Sequence, residues 1–120
     1  MTFALDRSGL PWHPMTWPID DGITGRVIAS GKPLRLGRAT REPDYTWPGP
    51  ERYESLVQVP VMVDGRCEAV LELADPAPDR YTQDDEALMI TVGEQVAAAV
   101  RGIALRAQAE QSARRLELTL

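Results

Sequence analysis

The sequence predicts an α+β fold, in which helices flank an antiparallel β-sheet and a long C-terminal helix projects from the domain. Two observations carry this prediction. Residues 55–63 and 66–74 are apolar runs on either side of Asp64-Gly65, which is typical of a β-hairpin. From Thr82 onward, apolar residues recur every three or four positions, as they do in an amphipathic helix.

A short helix is predicted over about residues 22–30. Asp20 or Asp21 is suited to cap its start. Gly31 suits the position just after its last turn, and Pro33 stands where a helix no longer continues. The two glycines in its first turn disfavour a helix, so we expect them to serve close packing or a tight entry turn.

The remaining segments are predicted to be short or irregular. Residues 2–6 are expected to form a short strand, and residues 33–36 another. Three prolines within 10–18 exclude a helix or a central strand there. Residues 37–54 are predicted to form a long loop rich in proline and aromatic residues, and loops of that length are usually functional or mobile.

The register of the hairpin follows from its apolar face. We expect a three-residue loop, Val63 to Gly65, with Gly65 as a bulge, because a two-residue loop would mix valines and glutamates on one face. Gln58 and Glu72 then share the opposite face. The expected pairs on the apolar face are Val61 with Cys67, Val59 with Ala69 and Val57 with Leu71.

The last helix is predicted to begin at a capping pair, Thr82 and Asp85, and to run for about 35 residues, or roughly 50 Å. A small domain is narrower than that, so residues 105–120 are expected to extend beyond a domain formed by 1–104. A projecting helix with a weak apolar seam usually pairs with another helix. Its apolar face comprises Met89, Val92, Val96, Ala99 and Ile103.

Composition limits the partners and the compartment. The chain has 120 residues, which suits one domain, and a net charge of −5, which disfavours nucleic acid. The one cysteine allows no internal disulfide, so a reducing compartment is expected. We find neither a signal peptide nor an uninterrupted apolar run near the ~20 residues that span a bilayer, and therefore predict a cytoplasmic protein without a membrane partner.

Five motifs follow one another between about residues 20 and 105. A Gly-Ile-Thr-Gly helix start precedes a Gly-Lys-Pro-Leu strand, and a Ser…Val-Pro strand precedes an "AVLEL" strand and a Tyr-Thr-Gln-Asp helix start. This order resembles the GAF domain, a sensory and regulatory domain of bacterial-type signalling proteins. The family usually has glycine where Ala69 stands, and it has a further helix and strands before the first motif, so the N-terminal layer is expected to be shortened.

The resemblance implies a cavity edged by the Gly-Ile-Thr-Gly helix, and it implies no cofactor. A pocket of this kind would be lined by apolar and aromatic side chains with few polar ones. The aromatic residues of the long loop and the apolar residues of the sheet are the candidates. The ligand-binding residues predicted in this way are Trp17, Ile23, Tyr45, Trp47, Tyr53, Val57, Val59 and Leu71.

The residues suited to catalysis or metal binding are sparse. His13 is the only histidine and is expected to be a solvated loop residue, while Cys67 is expected to fill the end of the sheet. Free-methionine-sulfoxide reductases share this kind of fold but need more than one cysteine for their redox cycle. We therefore expect no catalytic residues, no metal and no enzymatic activity.

The resulting functional hypothesis is a sensory domain that binds a small molecule and relays a signal through its C-terminal helix. That helix would pair with its copy in a homodimer and act on an output domain outside this chain, such as a kinase, a cyclase, a phosphatase or a transcription activator. A dimerisation module without a ligand is the alternative. The predicted dimer interface comprises Val92, Val96, Ala99, Ile103 and Leu116.

Overall fold

A computed structural model describes residues 22–47 and 50–119 of the chain. It confirms an α+β fold with an antiparallel sheet, flanking helices and a long C-terminal helix. The predicted strand at 2–6 and the proline-rich segment 10–18 lie outside the described residues. The elements are α1 (Gly22–Ser30), β1 (Leu34–Leu36), a 3-10 helix (Ala39–Arg41), β2 (Ser55–Val63), β3 (Arg66–Asp75) and α2 (Gln83–Thr119).

The described strands form one antiparallel sheet in the order β1-β2-β3. β1 is short and pairs with only one end of β2, from Leu34 opposite Gln58 to Leu36 opposite Leu56. β3 pairs along the whole of β2. β2 is therefore the central strand, and each of its two faces is available to a different helix.

The hairpin turn differs from the prediction. Val63 pairs directly with Arg66, so the loop has two residues, and the predicted three-residue loop is wrong. Asp64 and Gly65 have φ angles of 52° and 78°, as a type I′ turn requires. The one-residue shift occurs instead at Glu68, which has no partner in β2.

This bulge still creates the apolar face that the sequence predicts. The pairs on it are Val61 with Ala69, Val59 with Leu71 and Val57 with Leu73. The predicted pairs are therefore wrong by two residues in β3, and Cys67 lies opposite Met62 instead of Val61. Gln58 and Glu72 share the other face, as predicted, and are direct partners there. The three valines are fully buried, which shows that the register is set by burial even though the turn is set by Asp-Gly chemistry.

α2 covers the valine face of the sheet. Its closest approach is at Gly93, where an added Cβ atom would lie 3.3 Å from Cγ2 of Val59. Ile90 and Ala97 border the same groove as Val59. The sheet-facing side of the helix is thus rotated from the predicted apolar face, and Val92 is 40% exposed.

The start of α2 has the predicted capping pair. The Thr82 backbone N–H donates to Oδ2 of Asp85 over 2.7 Å, and the Asp85 backbone N–H donates to Oγ1 of Thr82 over 3.2 Å. These reciprocal bonds satisfy donors that a helix start otherwise leaves without a partner. The bonds that the Thr82 backbone N–H and hydroxyl donate to the Asp85 carboxylate also hold its pKa below the usual value.

α1 covers the opposite face of β2. Its apolar side buries Ile23 and Val27, and Ile23 shares a core cluster with Leu56 and Ala39. Oγ1 of Thr24 accepts a hydrogen bond of 3.1 Å from Nε2 of Gln58. The single strand β2 is thereby enclosed by α1 on one side and α2 on the other.

The 37 residues of α2 span about 55 Å, which exceeds the two shorter dimensions of the molecule, 29 and 27 Å. By length and composition alone α2 could cross a membrane, and little of it is buried in the domain. The sequence prediction missed this because it considered only uninterrupted apolar runs. One such helix is weak evidence for a membrane span, and Glu94 and Arg101 lie within its apolar part.

Candidate functional site

A cleft of about 270 Å³ lies between α1, the β2–β3 sheet and the loop that follows the 3-10 helix. Backbone and side-chain atoms from all three contribute to it. Its wall is mainly apolar and aromatic, with polar groups concentrated where the sheet forms the floor. The lining residues are Gly22, Ile23, Thr24, Tyr45, Thr46, Trp47, Tyr53, Leu56, Gln58 and Glu72.

The floor of the cleft is a hydrogen-bonded polar group on the sheet. Gln58 is only 2% exposed, and its Nε2 donates to Oγ1 of Thr24 over 3.1 Å and to Oε2 of Glu72 over 2.9 Å. Both amide hydrogens are therefore used. Oε1 of Gln58 has no hydrogen-bond partner among the described residues, so the floor retains a buried acceptor.

Glu72 is the one ionisable carboxylate among the described residues that line the cleft. Burial raises its pKa above the usual value, and the hydrogen bond from Gln58 partly opposes this rise. Its side chain as a whole remains open to solvent, which moderates the effect of burial. The floor thus combines a neutral acceptor with a carboxylate that lacks a cationic partner among those lining residues.

Aromatic side chains form the outer wall. The rings of Trp47 and Tyr53 meet edge to face, with centroids 5.3 Å apart and planes at 89°. The Tyr53 backbone N–H donates to the hydroxyl oxygen of Tyr45 over 3.0 Å, which fixes the two ends of the loop to each other. The guanidinium of Arg52 lies 5.9 Å from the centre of the Tyr45 ring.

An ion pair fastens this wall to α1. Arg26 donates to Asp44 twice, from Nε to Oδ2 over 3.1 Å and from Nη2 to Oδ1 over 2.9 Å. Gly22 begins α1 with a φ of 66°, and a Cβ atom there would collide with the Thr46 hydroxyl. Glycine at this position therefore permits both the turn into α1 and the close approach of the loop.

The structure brings together half of the predicted ligand-binding residues. Ile23, Tyr45, Trp47 and Tyr53 line the cleft, whereas Trp17 lies outside the described residues. Val57, Val59 and Leu71 belong to the sheet face beneath α2, because side chains alternate along a strand. That these eight residues bind a ligand stays a prediction.

Sequence reasoning missed the polar floor, although a signal for it was present. The predicted register already placed Gln58 and Glu72 together on the face away from the valines. A glutamine within a valine-rich central strand is buried whichever helix covers it, and a buried amide needs hydrogen-bond partners. Thr24 could not be assigned to it without knowing that α1 crosses that face.

Cys67, the one residue considered for catalysis that the structure describes, does not line this cleft. Cys67 is partly buried in β3, and its Sγ contacts the Ala69 carbonyl oxygen at 3.3 Å. His13 lies outside the described residues. Within residues 22–47 and 50–119, no group of three or more His, Cys, Asp or Glu side chains is arranged to hold a metal ion.

A sheet enclosed by two helices, with a cleft under the first helix, matches a known family. The family model of the GAF domain matches residues 3–100. This chain belongs to the GAF family. A comparison with curated proteins gave no match.

Solved GAF structures share this fold. The GAF domain of a phosphoenolpyruvate-protein phosphotransferase from Coxiella burnetii is 20% identical, with a TM-score of 0.69 over 77% of this chain and 56% of that one. The corresponding Acinetobacter domain is 24% identical, with a TM-score of 0.65 over 72% and 53%. This GAF chain therefore spans slightly more than half the length of these structures.

The comparisons overturn the prediction that the chain has no enzymatic activity. Free methionine-R-sulfoxide reductase from Neisseria meningitidis, solved in complex with its substrate, is 22% identical, with a TM-score of 0.66 over 73% of this chain and 52% of that one. An enzyme thus has the same fold. Membership of the GAF family is no ground for excluding catalysis, and the prediction was wrong to treat the fold in that way.

Proposed function

We propose that this GAF domain is a sensory module that binds a small molecule in the cleft beneath α1. The observation that carries this proposal is the buried, unpartnered acceptor of Gln58 within an aromatic wall. An acceptor left dry and unpaired costs about 1–3 kcal/mol, and a bound donor would remove that cost. The volume of the cleft, about 270 Å³, lies just below the usual range for ligand sites and therefore suits a small molecule.

The route from the cleft to α2 is short, because both use β2. Gln58 faces the cleft, while its neighbours Val57 and Val59 lie under α2. Gly93 leaves no layer of side chain between the helix backbone and Val59. A ligand that shifts Gln58 would therefore also move Val57 and Val59, the adjacent residues on which α2 packs. The ligand changes the position of α2 only if it binds more tightly to the protein with α2 in one position than in the other.

We further propose that α2 pairs with α2 of a second copy. Val92 and Ile103 are 40% and 67% exposed, and Ala99 lies between them on the same line. Leu88, which the sequence analysis left out, continues that line at 64% exposure. Such a row of apolar side chains is typical of a helix seam.

The predicted residue Leu116 does not continue this straight seam. It is 66% exposed, but 13 positions at 100° each place it about 140° around the helix from Ile103. Val96 is only partly exposed, at the border between the seam and the sheet. The proposed pairing is therefore centred on residues 88–103, and Leu116 would join it only after a change of helical phase.

Native mass spectrometry of the freshly purified full chain tests both parts of the proposal. A dimer that carries a releasable small molecule is the expected result. A dimer without added mass, whose spectrum is unchanged by a fragment library, favours the dimerisation module, and a monomer at all concentrations contradicts the pairing of α2. Relay to an output domain, of whichever class, is tested separately by attaching α2 to a reporter kinase.

The seam is tested by two charge substitutions on the same helix. Ile103→Glu places a carboxylate on the exposed apolar line, and Gln108→Glu places one about 140° away from it. We expect Ile103→Glu to weaken dimerisation in sedimentation experiments and Gln108→Glu to leave it within about twofold, since rim charges contribute little. Equal effects of the two substitutions would contradict this seam.

A further inference from the structure

The floor of the cleft, formed by Gln58 and Glu72, offers acceptors to a ligand, whereas the donors of the lining are the hydroxyls and the Trp47 indole N–H of its wall. Oε1 of Gln58 is a buried carbonyl oxygen without a partner among the described residues. Beside it, the carboxylate of Glu72 receives one hydrogen bond from Gln58, whereas two carboxylate oxygens together offer about four acceptor sites. A ligand with several N–H groups would satisfy both acceptors at once.

The orientation of the Gln58 amide follows from its neighbours. Its Nε2 lies 2.9 Å from Oε2 of Glu72. If the amide were turned over, two acceptor oxygens would face each other at that distance, which is unfavourable. The nitrogen must therefore point to the carboxylate, and the carbonyl oxygen is left for the ligand.

No positive charge balances Glu72 within the lining of the cleft, as far as residues 22–47 and 50–119 form it. Two cations stand beside the wall without lining the cleft: Arg26, whose guanidinium is held by Asp44 and Glu42, and Arg52, whose guanidinium lies 5.9 Å from the centre of the Tyr45 ring. The net charge of this lining is thus that of one carboxylate. An anionic ligand would meet repulsion there, and a cationic one would complete an ion pair.

The wall contributes a second attraction of the same sign. Trp47 and Tyr53 line the cleft, and the faces of such rings attract cations, as the guanidinium of Arg52 beside the Tyr45 ring illustrates. A planar cation also gains contact with the rings through its apolar part. The wall and the floor therefore favour the same class of molecule.

We infer that the cleft selects a small cation whose charged end is an amidinium, guanidinium or ammonium group, held by Glu72 and the carbonyl oxygen of Gln58. This inference rests on the proposed function of the cleft as a ligand site. The N–H groups of the cation would donate to both acceptors, and its apolar part would lie against the aromatic wall. The raised pKa of Glu72 agrees with a carboxylate that lacks its counter-ion.

Three matched probes separate charge from shape. Benzamidine is cationic, benzamide is neutral and benzoate is anionic, while their ring and size are nearly the same. Binding to the full chain is followed by chemical-shift changes in 1H-15N spectra, with the signals of residues 45–47, 53 and 58 reporting the cleft. We expect benzamidine to bind about tenfold more tightly than benzamide, and benzoate to bind least.

Glu72→Gln is the decisive variant, because it keeps the size of the side chain and removes its charge. It should weaken benzamidine binding about tenfold and leave benzamide within about twofold. Glu68→Gln is the matched control: the same substitution in the same strand, at a residue that does not line the cleft. It should change neither affinity, and circular dichroism of both variants checks that they fold.

The outcomes distinguish this inference from the proposed function. If benzamide or benzoate binds in the cleft as tightly as benzamidine, or if Glu72→Gln leaves benzamidine binding unchanged, the cation preference is overturned and the ligand site stands. If none of the probes moves the cleft signals at millimolar concentration, the ligand site itself is contradicted.

Discussion

Replacing Gly93 by alanine tests how closely α2 is seated on the sheet. Alanine at an unconstrained helix position is about 1 kcal/mol more favourable than glycine. At Gly93 the added methyl group would lie 3.3 Å from Cγ2 of Val59 and 3.7 Å from the Pro60 carbonyl oxygen. Carbon atoms attract each other most at about 3.5–4.0 Å, so the first of these contacts is too close.

The contact between Gly93 and Val59 leaves little room for adjustment. Val59 is buried in the sheet, where it cannot turn outward, so the helix must move away by a few tenths of an ångström. Overpacking of this kind typically costs about 1–3 kcal/mol. We therefore expect Gly93→Ala to cancel the gain in helix propensity and to lower the free energy of unfolding by about 0–2 kcal/mol.

Gly102 provides the matched control in the same helix. A Cβ atom there would meet nothing within 4 Å, so Gly102→Ala should raise helix stability by about 0.5–1 kcal/mol. Urea denaturation gives the free energy of unfolding of each variant, and far-UV circular dichroism follows the projecting part of the helix. If Gly93→Ala stabilises the protein as much as Gly102→Ala does, the close seat described above is incorrect.

Three further predictions concern the cap, the cleft and its wall. Thr82→Ala should lower the free energy of unfolding by about 1 kcal/mol in urea denaturation, because the hydroxyl that caps α2 is lost; an unchanged midpoint would contradict this. Folding raises the pKa of Glu72 above 4.5, so the folded state binds more protons and stability should fall as pH rises from 4.5 through the folded-state pKa. In Glu72→Gln this fall should disappear from denaturation midpoints measured across pH, and its persistence would refute the assignment to Glu72. Asp44→Asn should accelerate amide hydrogen exchange in residues 44–47 while changing the free energy of unfolding by less than about 1 kcal/mol, since the pair with Arg26 is half-exposed; unchanged exchange would show that the ion pair does not hold the wall.

The elements of this fold could be predicted because local chemistry and burial agree on them. Asp64-Gly65 determines the hairpin, and the reciprocal bonds of Thr82 and Asp85 determine where α2 begins. The register was harder to predict, because a two-residue type I′ turn and a wholly apolar face each require a different pairing of β2 with β3. Glu68 resolves that conflict as a bulge inside the strand, and no local pattern in the sequence specifies that position.

The site was less predictable, because it depends on which helix covers which face. The valines of β2 are equally suited to line a pocket or to pack against a helix. The close packing of Gly93 on Val59 shows that they pack against α2. The aromatic wall could be predicted from the composition of its loop. The floor could not, since Gln58 and Thr24 are 34 residues apart and meet only when α1 crosses the sheet.

The projecting half of α2 also has a mechanical consequence. Near the hairpin tip, Nη2 of Arg101 lies 3.8 Å from Oδ1 of Asp64, and this exposed pair marks a fulcrum at the edge of the sheet. The 18 residues that follow up to Thr119 form a lever about 27 Å long. A tilt of about 10° at the fulcrum displaces the end of this lever by about 5 Å, close to the pitch of one helical turn. Gly93 lies eight residues, about 12 Å, on the other side of this fulcrum, so a helix that pivots there moves about twice as far at its end as it moves at Gly93.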